Sequence, residues 1–393
     1  MACTFSSVDQ VYKEAVDAFL KEFGGTPEAA ACAPGRVNLI GEHTDYNEGF
    51  VLPMALPMVT VVVGKKNGSD ICRVVTTCEA ADAPLKAEFF APSKDPPKPG
   101  TPKWANYVKG VLANFKAKVT GFDAVVASSV PIGGGLSSSA ALEVAFYVFL
   151  EALTGHKKGK ETDKALTCQK AEHDFAGMPC GIMDQFIAVL AKQGNALLID
   201  CRSLDYTLIP LNDPDIVILI TNSNIKHELT GSEYPSRRRQ CEMGAAALGK
   251  KSLREATVQD VDVLRAKNAE EVVKKRVRHV TGEIERTKQG ADALKNGDYE
   301  AFGKLMVESH NSLKVEYEVS CPELDQLVEL ALAVPGVLGS RMTGAGFGGC
   351  TVTLLNKDSV GKAIEDISKS YKGTASFYIV TASDGAREIP VKK

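Results

Sequence analysis

The feature that most constrains this chain is a glycine-rich turn between an apolar stretch and a helix-like segment. Residues 121–130 are apolar and rich in β-branched residues, which predicts a strand, and residues 142–149 carry apolar side chains at helical spacing. The run between them, 131–141, is Pro-Ile-Gly-Gly-Gly-Leu-Ser-Ser-Ser-Ala-Ala. A helix that starts behind glycines presents unpaired amides at the positive end of its dipole. The pattern predicts a phosphate-binding loop, and an ordinary strand-to-helix turn is the alternative.

Two familiar nucleotide-binding motifs are excluded. No lysine follows the glycines, as a Walker A loop requires, and Ser138 stands where the dinucleotide fingerprint needs its third glycine. Gly133 and Gly135 therefore complete only half of that fingerprint. The serines at 137–139 add hydroxyls that can bond phosphate oxygens or a metal ion. We expect a phosphate to be held here by main-chain nitrogens without a lysine.

Composition and charge narrow the class of protein. A chain of 393 residues is long enough for two domains, and a net charge of −3 predicts neither a nucleic acid nor a membrane partner. The ten cysteines include no Cys-x-x-Cys pair, which argues against a zinc site and favours a reducing compartment. The first residues lack a signal-peptide pattern, and the longest apolar run, 51–64, is shorter than a membrane span. We expect a cytoplasmic enzyme.

The order of predicted elements indicates an α+β fold. An amphipathic helix near the N-terminus has Val11, Ala15, Phe19 and Phe23 on one face. The pattern predicts strands at 51–52, 59–63, 73–77, 196–201, 216–221, 350–355 and 375–380, and helices at 162–175, 182–192 and over much of 234–334. Because strands and helices do not alternate regularly, a doubly wound parallel sheet is not expected. We place the boundary between an N-terminal lobe (1–210) and a C-terminal α+β lobe (211–393).

Residues 35–47 form a dense group of polar side chains interrupted by apolar ones. Arg36, Glu42, His43 and Asp45 together offer both hydrogen-bond donors and acceptors. A sugar presents several hydroxyls that each donate and accept, so this mixture suits a sugar site. A surface turn with fortuitous charges is the alternative.

A second constellation places two acidic residues on either side of a helix break. Glu172 lies near the end of one predicted helix, and Asp184 lies in the first turn of the next. An Asp at a helix start is most often a cap. The break between them, 177–181, is Gly-Met-Pro-Cys-Gly, and it can aim Asp184 into a cleft.

A third constellation is the run 339–349, which ends in the glycine-rich loop 344–349. Four glycines in that loop, just before a predicted strand, indicate close approach of another backbone or of a ligand. A structural β-bulge is the competing interpretation.

Three runs, in the order 35–47, 133–140 and 342–349, resemble the three ordered motifs of the GHMP small-molecule kinases, and the resemblance spans nearly the whole chain. Residues 35–47, Gly-Arg-Val-Asn-Leu-Ile-Gly-Glu-His-Thr-Asp-Tyr-Asn, are similar to the signature that separates galactokinases, here of the cytoplasmic animal type, from their relatives. The resemblance implies a two-lobed α+β fold with the active site between the lobes. It also implies ATP-dependent phosphorylation of α-D-galactose at O1, the first committed step of galactose breakdown. ATP and galactose are then the small-molecule partners, Mg²⁺ is the metal, and a monomer is expected.

The resemblance also implies residue roles. Asp184 is expected to be the catalytic base that faces the anomeric hydroxyl, and Arg36 to orient it and offset charge on the phosphoryl group. The expected sugar-binding residues are Arg36, Glu42, His43, Asp45, Gly181, Asp184 and Tyr234. The expected nucleotide-binding residues are Gly133, Gly135, Ser137 and Ser138 at the phosphates and Trp104 and Tyr107 at the adenine, with Ser138 and Glu172 near Mg²⁺.

Rival functions differ from this interpretation at identifiable residues. N-acetylgalactosamine kinases resemble the chain but carry a different run around Thr44 and Asn47. A non-catalytic galactose sensor lacks residues of the phosphate loop, which is intact here at 136–140. Mevalonate- and homoserine-type kinases lack the run 42–46. One departure from the galactokinase pattern is Ala345. Many galactokinases have glycine at this position, and alanine, unlike glycine, resists positive φ.

Overall fold

The computed structural model describes residues 5–157, 159–225 and 233–391, so the first four residues, on which the expectation of no signal peptide partly depends, lie outside it. Within these ranges the chain is a mixed α+β structure. Its helices are α1 (Val8–Phe23), α2 (Trp104–Asn114), α3 (Ser138–Thr154), α4 (Glu161–Ala171), α5 (Met183–Leu190), α6 (Glu233–Leu248), α7 (Asp260–Ala266), α8 (Glu271–Lys295), α9 (Tyr299–Ser312), α10 (Pro322–Leu332) and α11 (Val360–Ser370). Its strands are β1 (Ala29–Asn38), β2 (Phe50–Val51), β3 (Pro53–Lys66), β4 (Ile71–Thr76), β5 (Lys86–Phe90), β6 (Phe122–Ser128), β7 (Asn195–Asp200), β8 (Tyr206–Pro210), β9 (Ile216–Asn222), β10 (Val337–Thr343), β11 (Cys350–Asn356), β12 (Ser376–Val380) and β13 (Arg387–Glu388).

A six-stranded sheet in the order β13-β1-β3-β6-β4-β5 forms the centre of the N-terminal half. Its β4–β6 pair is parallel, and the other pairs are antiparallel. Helix α1 covers one face with the predicted residues Val11, Ala15 and Phe19, all buried, while helices α2 to α5 pack against the other face. Ser7 begins α1 in a capping box with Gln10. Burial on both faces explains the continuous apolar sequence of the central strands.

The C-terminal half is built on a four-stranded antiparallel sheet in the order β10-β11-β9-β12. A small third sheet has the order β2-β7-β8. The predicted lobe boundary at residue 210 coincides with the end of β8, before β9 begins. Because β13 pairs with β1, the last strand returns to the N-terminal sheet. The boundary itself stays a prediction.

The α+β class and most predicted elements are confirmed. The helix predicted at 162–175 is α4 continued by a π-helical turn, Glu172–Ala176, which ends at Gly177 with φ of 71°. The sequence analysis missed the strands β1, β5, β8, β10 and β13 and the helices α2 and α11. None of the helices in the described ranges is long and apolar enough to cross a membrane.

Candidate active site

The three sequence motifs meet at one cleft of about 330 Å³. It lies where the C-terminal end of β1, the start of α3, the start of α5 and the loop after β10 converge. The predicted site residues that line the cleft are Arg36, Glu42, His43, Asp45, Tyr107, Gly133, Gly135, Ser137, Ser138, Glu172, Gly181, Asp184 and Tyr234. Trp104 is placed elsewhere: its indole is buried, and Nε1 donates to the Pro84 carbonyl at 3.0 Å. Its role at the adenine stays a prediction.

Arg36 reaches the cleft beside an irregularity in the pairing of β1 with β3. Pro34 pairs with Val59 but Arg36 pairs with Ala55, so the register shifts there and the extra residues lie on β3. At this point Gly35 lies so close to the phosphate loop that a Cβ would lie 2.7 Å from the Leu136 carbonyl oxygen. The Arg36 amide donates to the same oxygen at 3.0 Å. The polar run 35–47 and the phosphate loop 131–141 are thus in contact through their backbones.

Arg36 and Asp184 form a bidentate ion pair on the floor of the cleft. Arg36 Nε donates to Asp184 Oδ1 at 2.7 Å, and Nη2 donates to Oδ2 at 3.0 Å. The third nitrogen, Nη1, donates to the Gly135 carbonyl at 2.6 Å. The guanidinium is almost fully buried, whereas the carboxylate keeps 23% of its side-chain surface exposed. The pair therefore presents a fixed, partly open carboxylate to a ligand.

The phosphate loop leaves the start of α3 open. Gly133 and Gly135 adopt left-handed φ of 75° and 72°, which glycine reaches without steric cost. Ser137 precedes the helix with φ of 58°, and its side chain does not cap the first-turn amides. Those amides lie at the positive end of a 17-residue helix whose first residues, Ser138 and Ser139, line the cleft, which makes the helix start a suitable site for an anion.

The glycine-rich loop 344–349 packs backbone to backbone against the phosphate loop. A Cβ on Gly344 would lie 3.2 Å from the Gly135 oxygen, and one on Gly349 would lie 3.3 Å from the Gly134 oxygen. The prediction that these glycines permit close approach of another backbone is confirmed. In the loop 344–349, all of which is described, the residues with positive φ are the four glycines and Phe347, so Ala345 is not one of them. The alanine is therefore compatible with the loop.

Glu42 is held by residues to which the sequence analysis gave no role. Its Oε1 accepts the Gly344 amide at 2.8 Å, and its Oε2 accepts Asn38 Nδ2 at 2.7 Å. Arg341 Nη2, fully buried, lies 2.7 Å from Oε2. Burial raises the pKa of Glu42, and the Arg341 guanidinium opposes that rise. In the sequence, Arg341 was noted only as a member of the run 339–349. Nothing in the neighbouring sequence indicates that it is the buried partner of the Glu42 carboxylate.

His43 connects the polar run 35–47 to the glycine-rich loop 344–349. Its Nε2 lies 3.1 Å from the Ala345 carbonyl oxygen, which only accepts, so Nε2 carries the proton. Burial lowers the pKa of His43 to about 3, so the ring is neutral and Nδ1 accepts from the Tyr46 hydroxyl at 2.7 Å. The Tyr46 oxygen in turn lies 2.7 Å from the Tyr317 hydroxyl. Because both ring nitrogens are engaged within the protein, the contact left for a ligand is the ring itself.

Asp45 and Tyr234 form one wall of the cleft that Asp184 also lines. Burial, followed by the nearby Asp184 carboxylate, raises the pKa of Asp45 to about 6. The Tyr234 ring lies 5.7 Å from the ring of His43, between centroids, and the same distance from that of Tyr46. Two carboxylates that face one cleft need hydrogen-bond donors, and the hydroxyls of a sugar supply them.

Replacing Gly181 by alanine should displace Asp45. A Cβ on Gly181 would lie 1.8 Å from Asp45 Oδ2 and 2.1 Å from its Cγ, so the carboxylate must move. We expect Gly181→Ala to raise the KM for the expected sugar substrate roughly tenfold to a hundredfold, the equivalent of losing hydrogen bonds to a charged group. Gly361→Ala is the control, because that Cβ would enter open space. An unchanged KM for that sugar in Gly181→Ala would contradict the placement of Asp45.

Gln185 was also missed, and it links the acidic residues beside Asp184. Its Nε2 donates to Glu172 Oε2 at 2.7 Å and to Glu143 Oε2 at 3.1 Å. Burial, followed by the Asp184 charge, raises the pKa of Glu172 to about 7. Glu143 is fully buried, and its Oε1 has no hydrogen-bond partner among the residues that the structure describes. Tyr107 lies near this group, and burial followed by Glu172 raises the pKa of its hydroxyl.

His279 supplies a pH test of the packing behind Glu42. It is fully buried, its Nε2 lies 3.2 Å from the Glu42 carbonyl oxygen and its Nδ1 lies 2.8 Å from Ser312 Oγ. Burial lowers its pKa from 6.5 to about 4, so below pH 6.5 the unfolded chain binds a proton that the folded chain does not. Its contribution to stability is therefore present above pH 6.5 and is lost as the pH falls toward 4, by up to about 1.4 kcal/mol per pH unit.

Urea unfolding at pH 7, 6 and 5 measures this contribution as the difference between wild type and His279→Gln. The comparison is needed because Asp45 and Glu172, with raised pKa values, change the stability of the folded state in the opposite direction over this range. The variant should lose less stability on acidification than the wild type. Identical pH dependence in the two proteins would show that His279 titrates normally when folded.

Comparison with known proteins agrees with the geometry. The galactokinase galactose-binding signature matches residues 17–66, the GHMP kinases N terminal domain matches 106–192, and the GHMP kinases C terminal domain matches 291–373. The galactokinase of Bos taurus is 59% identical over 372 residues, 94% of each chain, and that of Homo sapiens is 58% identical over 382 residues, 97% of each chain.

Solved structures give the same result. The crystal structure of Lactococcus lactis galactokinase complexed with galactose has a TM-score of 0.91 at 33% identity, covering 96% of this chain and 100% of that chain. Methanococcus jannaschii mevalonate kinase, with a TM-score of 0.61 at 19% identity over 90% of this chain and 98% of its own, shares the fold. With signature, sequence and structure in agreement, the chain belongs to the galactokinase family of the GHMP kinases.

Proposed function

We propose that this protein transfers the γ-phosphoryl group of ATP to O1 of α-D-galactose, giving galactose 1-phosphate and ADP, the first committed step of galactose breakdown. The observation that carries the proposal is that the Arg36–Asp184 ion pair lines the same cleft as the start of α3 and the wall formed by Asp45 and Tyr234. The family membership supports the same reaction, since the relatives are galactokinases.

The residues divide the work of an in-line transfer. Phosphoryl transfer has a loose transition state, so positioning and charge stabilisation dominate catalysis. Asp184 accepts the hydrogen bond of the O1 hydroxyl, orients that oxygen toward phosphorus and takes its proton as the new bond forms. Arg36 holds Asp184 and places positive charge beside the transferred group. The first-turn amides of α3, with Gly133 and Gly135, bind phosphate oxygens.

The residues present fit a magnesium ion. Within the described ranges no cluster of three or more His, Cys, Asp or Glu side chains forms a metal cage. Kinases hold Mg²⁺ with one or two protein oxygens plus phosphates and water, so the Ser138 hydroxyl and the Glu172 carboxylate suffice. Glu143 Oε1, buried beside Glu172, has no hydrogen-bond partner among the described residues and is a further unsatisfied oxygen there. When bound, the ion supplies charge neutralisation on the phosphates.

Ser138→Ala tests this assignment. Loss of one hard oxygen ligand should raise the Mg²⁺ concentration needed for half-maximal activity and lower turnover, by roughly tenfold each. The measurement is a Mg²⁺ titration of initial rates at fixed total ATP. An unchanged Mg²⁺ requirement would remove Ser138 from the metal site.

An ATP-to-ADP assay across a panel of monosaccharides tests the function itself. We expect galactose to give the highest kcat/KM and N-acetylgalactosamine to be a poor substrate, because residues 44–49 follow the galactose pattern. A preference for N-acetylgalactosamine would favour the rival kinase, and sugar binding without ADP release would favour a sensor. A cytoplasmic location, which the free thiols among the described cysteines support, and a monomeric state complete the proposal.

A further inference from the structure

Ser137 has an unusual conformation and an unusual hydrogen-bond partner. It is the N-cap of α3, where a serine normally accepts an amide of its own helix. Here φ is 58° and ψ is 49°, and no such cap bond forms. Its Oγ instead donates to Asp184 Oδ2, across the cleft floor from its own helix. A left-handed non-glycine residue is costly, and such strain is concentrated at functional sites.

A hydroxyl has one proton to donate, and this one is already used. The phosphate oxygens of ATP near pH 7 are acceptors, so they need donors. While the Ser137 hydroxyl donates its hydrogen bond to Asp184, it cannot also donate one to a phosphate. What Ser137 can offer the nucleotide is its main-chain N–H, at the start of α3.

The carboxylate of Asp184 shows what the bond achieves. A carboxylate has about four lone-pair sites. Two accept Arg36 Nε and Nη2, and a third accepts the Ser137 hydroxyl. One site remains, on a group that is 23% exposed to the cleft, and it can accept the hydroxyl of the acceptor sugar. Removing the serine donor frees a second site and leaves the orientation of the acceptor hydroxyl less defined.

We propose that the Ser137 hydroxyl is a positioning residue for the acceptor side of the reaction, which fixes Asp184 toward the sugar hydroxyl and does not bind phosphate. This inference rests on the proposed function, in which Asp184 faces O1. It assigns two neighbouring serines to different substrates: Ser137 through its side chain to the sugar, and Ser138 to the nucleotide and its metal.

Two variants separate the hydroxyl from the backbone conformation. Ser137→Ala and Ser137→Gly both remove the donor, but only glycine adopts the left-handed conformation without strain. We expect kcat to fall by roughly tenfold in both, the kinetic equivalent of one hydrogen bond to a charged group. The KM for ATP, and the Kd for a non-hydrolysable ATP analogue measured by calorimetry, should stay within about twofold of wild type, since that bond does not reach the nucleotide.

Weaker binding of the analogue with kcat preserved at saturating ATP would overturn the inference and return the hydroxyl to the phosphates. Wild-type kcat in Ser137→Gly alone would also overturn it, since the backbone and not the hydroxyl would then matter. In the Asp184→Asn background, Ser137→Ala should cause no further loss, and a full additional loss would contradict action through Asp184. All comparisons are ratios with the sugar that the wild type phosphorylates, so a different preferred sugar would sink the proposed function and leave this test intact.

Discussion

Asp184→Asn is expected to lose at least about a hundredfold in kcat while galactose still binds, because an amide can orient a hydroxyl but cannot take its proton. Asparagine keeps an oxygen that accepts from Arg36, so the buried guanidinium retains a partner and the fold should persist. Steady-state kinetics give kcat, and calorimetry gives the Kd for galactose, which should change by only a few fold.

A matched substitution shows that the effect is local. Asp262→Asn changes the same residue type on α7. The Asp262 side chain is 74% exposed and, among the described residues, forms an ion pair with Arg265 alone. Exposed pairs of this kind contribute little, so this variant should behave as wild type. Near-normal turnover in Asp184→Asn, with Asp262→Asn also normal, would remove Asp184 from its role as the base.

Arg341→Met is expected to cause the largest loss of stability, about 3–5 kcal/mol, because it leaves the buried Glu42 carboxylate without its cation. Arg341 is fully buried, and besides Glu42 its Nη2 lies 4.0 Å from Glu283, itself fully buried. Arg341 Nε also donates to Ser309 Oγ at 3.2 Å. Urea unfolding measures the loss, and galactose affinity should fall with it because Glu42 would release the Gly344 amide.

Two further variants separate charge from packing at this site. Arg265→Met removes an exposed guanidinium and should change the free energy of unfolding by less than about 1 kcal/mol. Adding Glu42→Gln to Arg341→Met removes the carboxylate that has lost its cation and should restore part of the lost stability. A loss below about 1 kcal/mol in Arg341→Met would show that the buried network is not a source of stability.

The sequence was informative where local chemistry determines local structure. Some features were recognised from residue types alone, without a structure. They are the glycines of residues 131–136 and 344–349 and the polar run 35–47. The helix break at 177–181 likewise predicted that Asp184 would be aimed into a cleft, and the structure places it there. These features depend on turns and helix ends, which a short window of sequence encodes.

The sequence was uninformative where the partner lies far along the chain. Strand β1 was missed because both its faces are buried, so its apolar run shows no alternation. Arg341, Gln185 and the use of the Ser137 hydroxyl were missed because each depends on a contact between distant segments. Such contacts follow from the packing of the two halves of the chain, and no spacing rule within one segment encodes them.

The most direct test of the account is a crystal structure with a non-hydrolysable ATP analogue and galactose bound together. We predict the triphosphate at the start of α3, galactose O1 within hydrogen-bond distance of Asp184, and O1 about 3–3.5 Å from the γ-phosphorus. A triphosphate bound away from residues 133–138, or a galactose whose anomeric oxygen faces away from Asp184, would contradict it.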